Sequence, residues 1–335
     1  MNPSEKLPLL EVNNLSIAFN SPSGPLQVTR DLSFKISPGE RVGLVGESGC
    51  GKTVTGLALM RLLDPSSVKI TGDVLLQGRN LSSLSDKSMR SVRGREMAMI
   101  FQEPMSALDP VFTVGSQLSE AFSTHFPERA IEAKERALDL LHLVGIPLPL
   151  QRYNEYPHQL SGGMLQRVMI AMGLICEPKI LIADEPTTAL DVTVQAQITS
   201  LLCDLSERTQ TALLFITHDL GVVAETCTRM LVMYAGEVVE DSPIDDVLVE
   251  PQHPYTSGLL QSLPKFAKRH EPLVSIRGKV PALNAMPSGC RFQPRCDHFT
   301  PACNSEQTLK PIGLSMRQVR CCESNRLSLQ GVSLP

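Results

Sequence analysis

The sequence "GLVGESGCGKTVTG" has the residue types and spacing of a phosphate-binding loop. Gly46, Gly51, Lys52 and Thr53 follow the pattern G-x-x-x-x-G-K-[ST], after the buried run "RVGLV" and before a stretch with helical periodicity. We expect the backbone N–H groups from Ser48 onwards to form a nest for phosphates at a helix N-terminus. Lys52 would bridge the β- and γ-phosphates of a nucleotide, and the Thr53 hydroxyl would bind Mg²⁺. The predicted loop comprises Gly46, Glu47, Ser48, Gly49, Cys50, Gly51, Lys52 and Thr53.

Two adjacent carboxylates form the second candidate for phosphate chemistry. The run "KILIADEP" is apolar enough to be buried on both faces of a parallel sheet, and it ends in Asp184 and Glu185. Asp184 would hold Mg²⁺ through water, and Glu185 would polarise the attacking water as a general base. Together with the loop, this pair predicts an enzyme that hydrolyses a nucleoside triphosphate.

The stretch "LSGGMLQR", from Leu160 to Arg167, resembles the signature motif of ATP-binding cassette (ABC) ATPases. A helix that opens with Ser-Gly-Gly offers unhindered N–H groups and a hydroxyl at the positive end of its dipole. In this family the phosphate bound there belongs to ATP held by the opposing subunit, so the resemblance implies a head-to-tail dimer with two ATP molecules. The residues implied for this contact are Ser161, Gly162, Gly163 and Gln166.

The remaining motifs of the same family follow in the expected order. Gln102 after "AMIF" resembles the Q-loop glutamine, which also implies a contact with Mg²⁺. Asp191 in "TTALD" resembles the D-loop aspartate, and His218 in "ITHD" resembles the histidine that senses the γ-phosphate. Phe19 lies where the family places an aromatic ring on adenine, although the alternation of its strand fits a core residue as well.

Longer stretches resemble one branch of the family, the ATP-binding subunits of bacterial dipeptide and oligopeptide importers. They include "MIFQEPMSALDP", "LIADEPTTALDVTVQAQI", "HPYTSGLL" and "GCRFQPRC", and they indicate the first of two paired ATPases. The resemblance implies a second, related ATPase chain, two transmembrane permeases and an extracytoplasmic binding protein. The expected location is the cytoplasmic face of the inner membrane. Importers of nickel, metallophores, glutathione or antimicrobial peptides remain alternatives, as does a soluble ABC ATPase outside transport.

Five of the nine cysteines lie in the C-terminal part of the chain. The spacing Cys290-x5-Cys296-x6-Cys303-x17-Cys321 supplies four thiolates, enough for Zn²⁺ or a [4Fe–4S] cluster, but its gaps are wider than those of common zinc knuckles and ferredoxins. The resemblance to peptide-importer ATPases implies that these four cysteines hold a [4Fe–4S] cluster. Cys322 is an alternative fourth ligand, and His298 a further substitute.

The order of predicted elements indicates an α/β fold. Strand patterns at 9–45, "VLLQG" and "MAMIFQ" precede a helical stretch at about 103–175, and "KILIAD", "ALLFIT" and "RMLVMY" then alternate with helices. We therefore predict a P-loop NTPase of the ABC type over 1–245, with an antiparallel β subdomain and a helical subdomain. Residues 246–335 are predicted to form a small, irregular C-terminal domain that carries the cysteines.

Composition argues against two further classes of function. The 335 residues carry a formal charge of −4 and no basic block, so a nucleic-acid partner is not expected. No apolar run approaches the roughly 18–20 residues of a membrane span, and the N-terminus lacks the pattern of a secretory signal. We therefore expect a protein of the cytoplasm that reaches a membrane only through its partners.

Overall fold

The computed structural model describes residues 7–188, 190–263, 275–313 and 316–332. The chain forms two compact units. The first contains Met1–Leu10, Ile36–Glu40 and Leu76–Phe215, and the second contains Glu11–Lys35, Arg41–Leu75 and Ile216–Pro335. This division differs from the predicted boundary at residue 245, because the C-terminal segment belongs to the same unit as the phosphate loop.

The described residues contain twelve strands and eleven α-helices. The strands are β1 (Leu10–Phe19), β2 (Leu26–Ile36), β3 (Arg41–Val45), β4 (Val68–Leu76), β5 (Arg79–Asn80), β6 (Met97–Ile100), β7 (Ile180–Asp184), β8 (Ala212–Thr217), β9 (Arg229–Tyr234), β10 (Glu237–Pro243), β11 (Lys310–Pro311) and β12 (Gln318–Val319). The helices are α1 (Lys52–Leu59), α2 (Asp86–Val92), α3 (Pro104–Ala107), α4 (Val114–His125), α5 (Ala133–Leu143), α6 (Pro149–Tyr153), α7 (Gly162–Leu174), α8 (Val192–Thr209), α9 (Leu220–Thr226), α10 (Ile244–Val249) and α11 (Pro254–Gln261). Short 3₁₀ helices include Pro127–Glu132, Pro157–Gln159, Gln293–Arg295 and Pro301–Asn304.

Buried parallel strands form the core of the first unit. β6 and β7 run parallel, with Met97 opposite Ile180, and every residue of both strands is buried. Such strands need apolar side chains on both faces, which explains the uninterrupted runs "MAMI" and "ILIAD". Gly173 lets α7 approach this sheet closely, since a Cβ there would lie 3.2 Å from the Leu181 side chain.

The described segment from Pro104 to Leu174 contains helices and their connections but no strand. α4 begins at an N-cap, where the Thr113 hydroxyl accepts a hydrogen bond from the Ser116 amide at 3.2 Å. The Tyr153 ring packs directly on Gly115, where any Cβ would lie only 2.3 Å from it. None of the described helices is long and apolar enough to span a membrane.

Two groups of strands build the second unit. One has the order β2-β1-β4, and the other has the order β11-β12-β10-β9-β3. β3 and β9 are parallel, whereas β9, β10, β12 and β11 pair antiparallel. The two-residue strands β11 and β12 thus join a segment that the sequence predicts to be irregular to the edge of β10.

A buried charge network attaches the C-terminal segment to this sheet. The carboxylate of Glu237 on β10 is 2 % exposed and accepts a hydrogen bond from Arg30 Nε at 2.5 Å. Arg291 Nε and Arg320 Nη1 lie 3.7 and 3.8 Å from the same oxygen. Arg320 also donates to the Val238 carbonyl at 3.0 Å. One carboxylate therefore lies beside guanidinium groups from β2 and from the C-terminal segment and offsets part of their charge.

Replacing Glu237 by Gln should lower the free energy of unfolding by about 3–5 kcal/mol, because it leaves buried guanidinium groups without their counter-charge. Urea unfolding measures this loss. The matched control is Glu177→Gln, since the Glu177 carboxylate is 64 % exposed in its pair with Arg136 and should contribute about 0–1 kcal/mol. Equal losses in the two variants would contradict the importance of burial.

Candidate functional site

The predicted phosphate loop connects β3 to α1 in the second unit. Its backbone passes so close to β9 that a Cβ on Gly46 would lie 2.0 Å from the Met233 carbonyl oxygen. Gly49 (φ 79°) and Gly51 (φ 103°) adopt the left-handed conformations that glycine accepts without strain. Gly51 is the N-cap residue of α1, so the loop presents its amides at the start of a helix.

The Lys52 side chain lies inside the loop and binds its backbone. Its ammonium group donates to the carbonyl oxygens of Gly46 at 2.8 Å and Glu47 at 3.1 Å, and the residue is 5 % exposed. Cys50 is also buried, and burial raises the pKa of its thiol. Ser48, Gly49 and Thr53 lie exposed on the outer side. The loop therefore combines one buried cation with an accessible rim, which is the arrangement that a polyphosphate requires.

The second unit contains two further predicted site residues. Phe19 is half-buried at the end of β1, and His218 is exposed immediately after β8. The neighbouring Asp219 is the N-cap of α9 and accepts the Gly221 amide at 2.8 Å, so the turn that carries His218 has a defined conformation.

The structure brings Gln102 and Glu185 together in the first unit. Gln102 Nε2 donates to Glu185 Oε2 at 3.1 Å, and the Thr188 hydroxyl donates to the same oxygen at 2.8 Å. Asp184, at the end of β7, is 2 % exposed. Glu185 adopts a left-handed backbone conformation (φ 45°), which is strained for a side chain and turns it away from the strand. The Glu185 carboxylate is thus half-buried and oriented by two donors.

The signature helix α7 begins as the sequence predicts. Ser161 is its N-cap and accepts the Met164 amide at 3.4 Å, while a Cβ on Gly162 would meet nothing within 4 Å. Gly163 faces a Val194 methyl group, which would lie 3.2 Å from an added Cβ. The N-terminal amides are therefore sterically accessible to an anion.

Two predicted nucleotide contacts have other surroundings in this structure. Gln166 is 2 % exposed on the inner face of α7, and its Nε2 has no hydrogen-bond partner among the described residues. The periodicity of α7 turns this side chain to the core, and its predicted contact with ATP stays a prediction. Asp191 caps α8 by accepting the Val194 amide at 2.9 Å, so its carboxylate has a structural partner.

The four predicted ligand cysteines line one small cavity of about 10 Å³. Cys290 and Cys303 are connected by a backbone hydrogen bond of 2.9 Å from the Cys290 amide. Cys322 is exposed and does not line the cavity, and its sulfur lies 3.8 Å from that of Cys303. His298, the other predicted alternative, also lines the cavity.

Burial and mutual repulsion of negative charge raise the pKa values of three of the thiols that line the cavity. The pKa of Cys290 rises to about 12, and those of Cys296 and Cys321 rise to about 11. Among the described residues, no three or more His, Cys, Asp or Glu side chains are close enough to hold one metal ion. The thiols thus share a cavity without converging on one point.

Sequence reasoning missed one set of contacts to the phosphate loop. Arg295, between Cys290 and Cys296, forms a two-fold hydrogen-bonded ion pair with Glu47 across a separation of 248 residues. The Tyr255 hydroxyl accepts the Glu47 amide at 3.0 Å. No local pattern signals a pairing over this separation.

The fold, the phosphate loop, the carboxylates at the end of β7 and the signature helix α7 define a P-loop ATPase of the ABC class. Residues 29–188 match the family model described as "ABC transporter", and residues 239–303 match "Oligopeptide/dipeptide transporter, C-terminal region". The chain is similar to the ATP-binding cassette MJ0796, solved as a dimer bound to ADP and Pi, with a TM-score of 0.63 and 26 % identity over 70 % of this chain and 98 % of that one. The predicted ABC fold is confirmed.

Similar proteins indicate which type of ABC transporter the chain belongs to. The chain is 48 % identical to the oligopeptide transport ATP-binding protein AppD of Bacillus subtilis, over 93 % of this chain and 96 % of that protein. It is 47 % identical to the dipeptide transport ATP-binding protein DppD of Escherichia coli, over the same shares of each chain. The chain belongs to the ATP-binding subunits of ABC transporters of the oligopeptide/dipeptide type. It is accordingly an ATPase.

Replacing Gly46 by Ala should disturb the loop, because the added methyl group collides with the backbone of β9. We expect a loss of about 1–3 kcal/mol in the free energy of unfolding, together with weaker ATP binding. Urea unfolding and nucleotide titration measure the two effects. Gly162→Ala is the control for stability, since its methyl group meets nothing within 4 Å. Unchanged stability in Gly46→Ala would contradict the close approach.

Proposed function

We propose that this chain is the ATP-hydrolysing subunit of a bacterial importer of dipeptides or oligopeptides. The observation that supports it most is the combination of a complete phosphate loop with a C-terminal region that matches the oligopeptide/dipeptide transporter family over residues 239–303. Identities of 47–48 % to peptide-transport subunits over 93 % of the chain support the same cargo class.

In the proposed mechanism, the loop amides and Lys52 bind the phosphates of ATP. Glu185 accepts a proton from the attacking water, while Gln102, its hydrogen-bond partner at 3.1 Å, keeps the carboxylate oriented. Thr53, Asp184 and Gln102 would hold Mg²⁺, which neutralises charge on the phosphates when it is bound. Phe19 would stack on adenine, and His218 would contact the γ-phosphate.

A dimer completes this proposal. The accessible amides at the start of α7, with Ser161 and Gly162, would bind the γ-phosphate of ATP held by a second ATPase subunit. Asp191 would stand at the same dimer contact. Gln166, which is buried on the same helix, would belong to this ATP contact as well. We propose a separate, related chain as the partner, with the present chain as the first of the pair.

The proposed complex contains two transmembrane permeases and an extracytoplasmic binding protein. The described helices offer no membrane span, so the chain would lie peripherally on the permeases at the cytoplasmic face of the inner membrane. Closure of the ATP-bound dimer would move the permeases, and hydrolysis would reopen them.

We propose that Cys290, Cys296, Cys303 and Cys321, which line one cavity, hold a [4Fe–4S] cluster. A single Zn²⁺ with bonds of about 2.3 Å would draw four thiolates to one point, and the described residues contain no group of that kind. A cluster spreads four thiolates over four irons, so thiols around a cavity fit it better. Because Cys321 lines the cavity and Cys322 does not, Cys321 is the proposed fourth ligand. The bound cluster would act as a structural staple.

Replacing Glu185 by Gln should slow ATP hydrolysis by the assembled complex about 10²- to 10⁴-fold while ATP binding is retained. The assay is steady-state ATPase activity with the binding protein loaded with dipeptide, tripeptide, nickel or glutathione. Stimulation of wild type by peptide is the expected result. Undiminished turnover in the variant would contradict the role of Glu185 as the general base. Stimulation of wild type by nickel or glutathione, but not by dipeptide or tripeptide, would contradict the proposed peptide cargo.

Anaerobically purified protein should contain about four irons and four acid-labile sulfides per chain and absorb visible light, as a [4Fe–4S] protein does. Cys321→Ser should lose most of this iron, whereas Cys322→Ser should keep it. Cys176→Ser is the matched control, because Cys176 is buried but does not line the cavity. Stoichiometric zinc without iron, or iron loss in Cys322→Ser alone, would refute the assignment.

A further inference from the structure

The phosphate loop and the cysteine-bearing segment meet at a charge-assisted pair. Arg295 Nη1 donates to Glu47 Oε2 at 2.8 Å, and its Nη2 donates to Oε1 at 3.1 Å. The parallel geometry fixes the orientation of both planar groups. Glu47 directly follows Gly46, and its carbonyl oxygen also accepts from the Lys52 ammonium. The pair therefore acts on the part of the loop that holds the phosphate-binding lysine.

The surroundings of Arg295 leave it little freedom. Its side chain is 5 % exposed, and its guanidinium carbon lies 5.7 Å from the centre of the Tyr234 ring. Its Nε donates to the Arg277 carbonyl at 2.9 Å. Burial opposes the charged form, but the hydrogen bonds that Arg295 donates to Glu47 and the charge of the Glu47 carboxylate raise the pKa of Arg295 overall. The guanidinium is thus a permanent cation at a fixed position.

An aromatic cluster connects the same segment to the loop a second time. Phe292 packs on Tyr234 and Tyr255, with ring centres 5.1 and 5.5 Å apart. Tyr255 is fully buried, and its hydroxyl accepts the Glu47 amide at 3.0 Å. Both the main chain and the side chain of Glu47 are therefore held by groups that pack with residues 292–295.

We propose that Arg295 is a positioning residue for ATP binding, and that the segment from Cys290 to Cys296 controls nucleotide affinity through its pair with Glu47. Arg295 holds Glu47, and Glu47 holds the loop conformation in which the Lys52 ammonium donates to the Gly46 and Glu47 carbonyls. Because Cys290 and Cys296 also line the cysteine cavity, the segment joins that cavity to the phosphate site.

Charge explains the direction of the effect. Glu47 is the one carboxylate within the loop 46–53, and ATP brings several negative charges to the same loop. While Arg295 is paired with it, the carboxylate is neutralised and its two oxygens are fixed. Without Arg295, the unpaired carboxylate repels the phosphates, and the loop also loses one of its supports. Both effects weaken binding of ATP and ADP and leave the chemistry at Glu185 intact.

The inference goes beyond the proposed cargo. It rests on ATP binding by the loop and is independent of whether the complex transports peptides. A result against peptide transport would not contradict the role of Arg295, and a result against the role of Arg295 would not contradict the proposed peptide cargo.

The test measures the Kd of a fluorescent ATP analogue with the full-length chain, and KM and kcat for ATP with the assembled complex. Arg295→Ala should raise Kd and KM at least fivefold, within the about 5- to 150-fold range of coupling between sites, with kcat at saturating ATP changed less than twofold. Arg277→Ala is the matched control, because Arg277 forms an exposed ion pair with Asp297, the residue after this segment, and should leave Kd unchanged.

A second variant separates positioning from a general loss of structure. Adding Glu47→Gln to Arg295→Ala removes the unpaired carboxylate, so the double variant should recover at least half of the lost affinity on a logarithmic scale. A merely structural role predicts no such recovery. If Arg295→Ala does not fold, Arg295→Lys keeps the charge without the paired geometry and should raise Kd about threefold. An unchanged Kd in the folded variant, or no recovery in the double variant, would overturn the proposal.

Discussion

The second unit depends on how closely three backbones meet at the turn between β9 and β10. The Met233 carbonyl leaves no room for a side chain on Gly46, and the Val28 carbonyl leaves none on Gly236, where a Cβ would approach to 1.9 Å. The Gly236 amide donates to the Cys50 carbonyl at 2.9 Å. Strand β2, the phosphate loop and the turn are thus locked main chain to main chain, without intervening side chains. A shift in any of the three displaces the loop.

The C-terminal segment packs on the same turn. Arg291 donates to the Ala235 carbonyl, Phe292 packs on the Tyr234 ring at 5.1 Å, and Arg295 lies over that ring. The segment has few strands and little apolar core, so these contacts and the buried Glu237 network provide much of its attachment. A metal cluster at the four cysteines would add the staple that so short a core lacks. Nucleotide loop and cysteine cavity therefore share one support.

The sequence predicts local features of this structure well. The loop, the carboxylates after β7 and the N-cap at Ser161 depend on short-range patterns of glycine, apolar runs and capping residues, and the structure has each of them where its pattern lies. The burial of the Gln166 side chain was not predicted, because a motif match does not reveal which way a helical side chain faces. The Glu47–Arg295 pair could not be predicted, since two charged residues 248 positions apart leave no periodic signal. The strands β11 and β12 are too short for periodicity to detect.

The central claim is that the C-terminal segment supports the phosphate loop through the turn and Arg295. Hydrogen exchange of the loop amides, followed by mass spectrometry on the nucleotide-free chain, tests it most directly. In Arg295→Ala, peptides that cover residues 44–54 should exchange about tenfold faster or more, while peptides from α7 keep their wild-type rates. Equal exchange of the loop in wild type and variant would contradict the account.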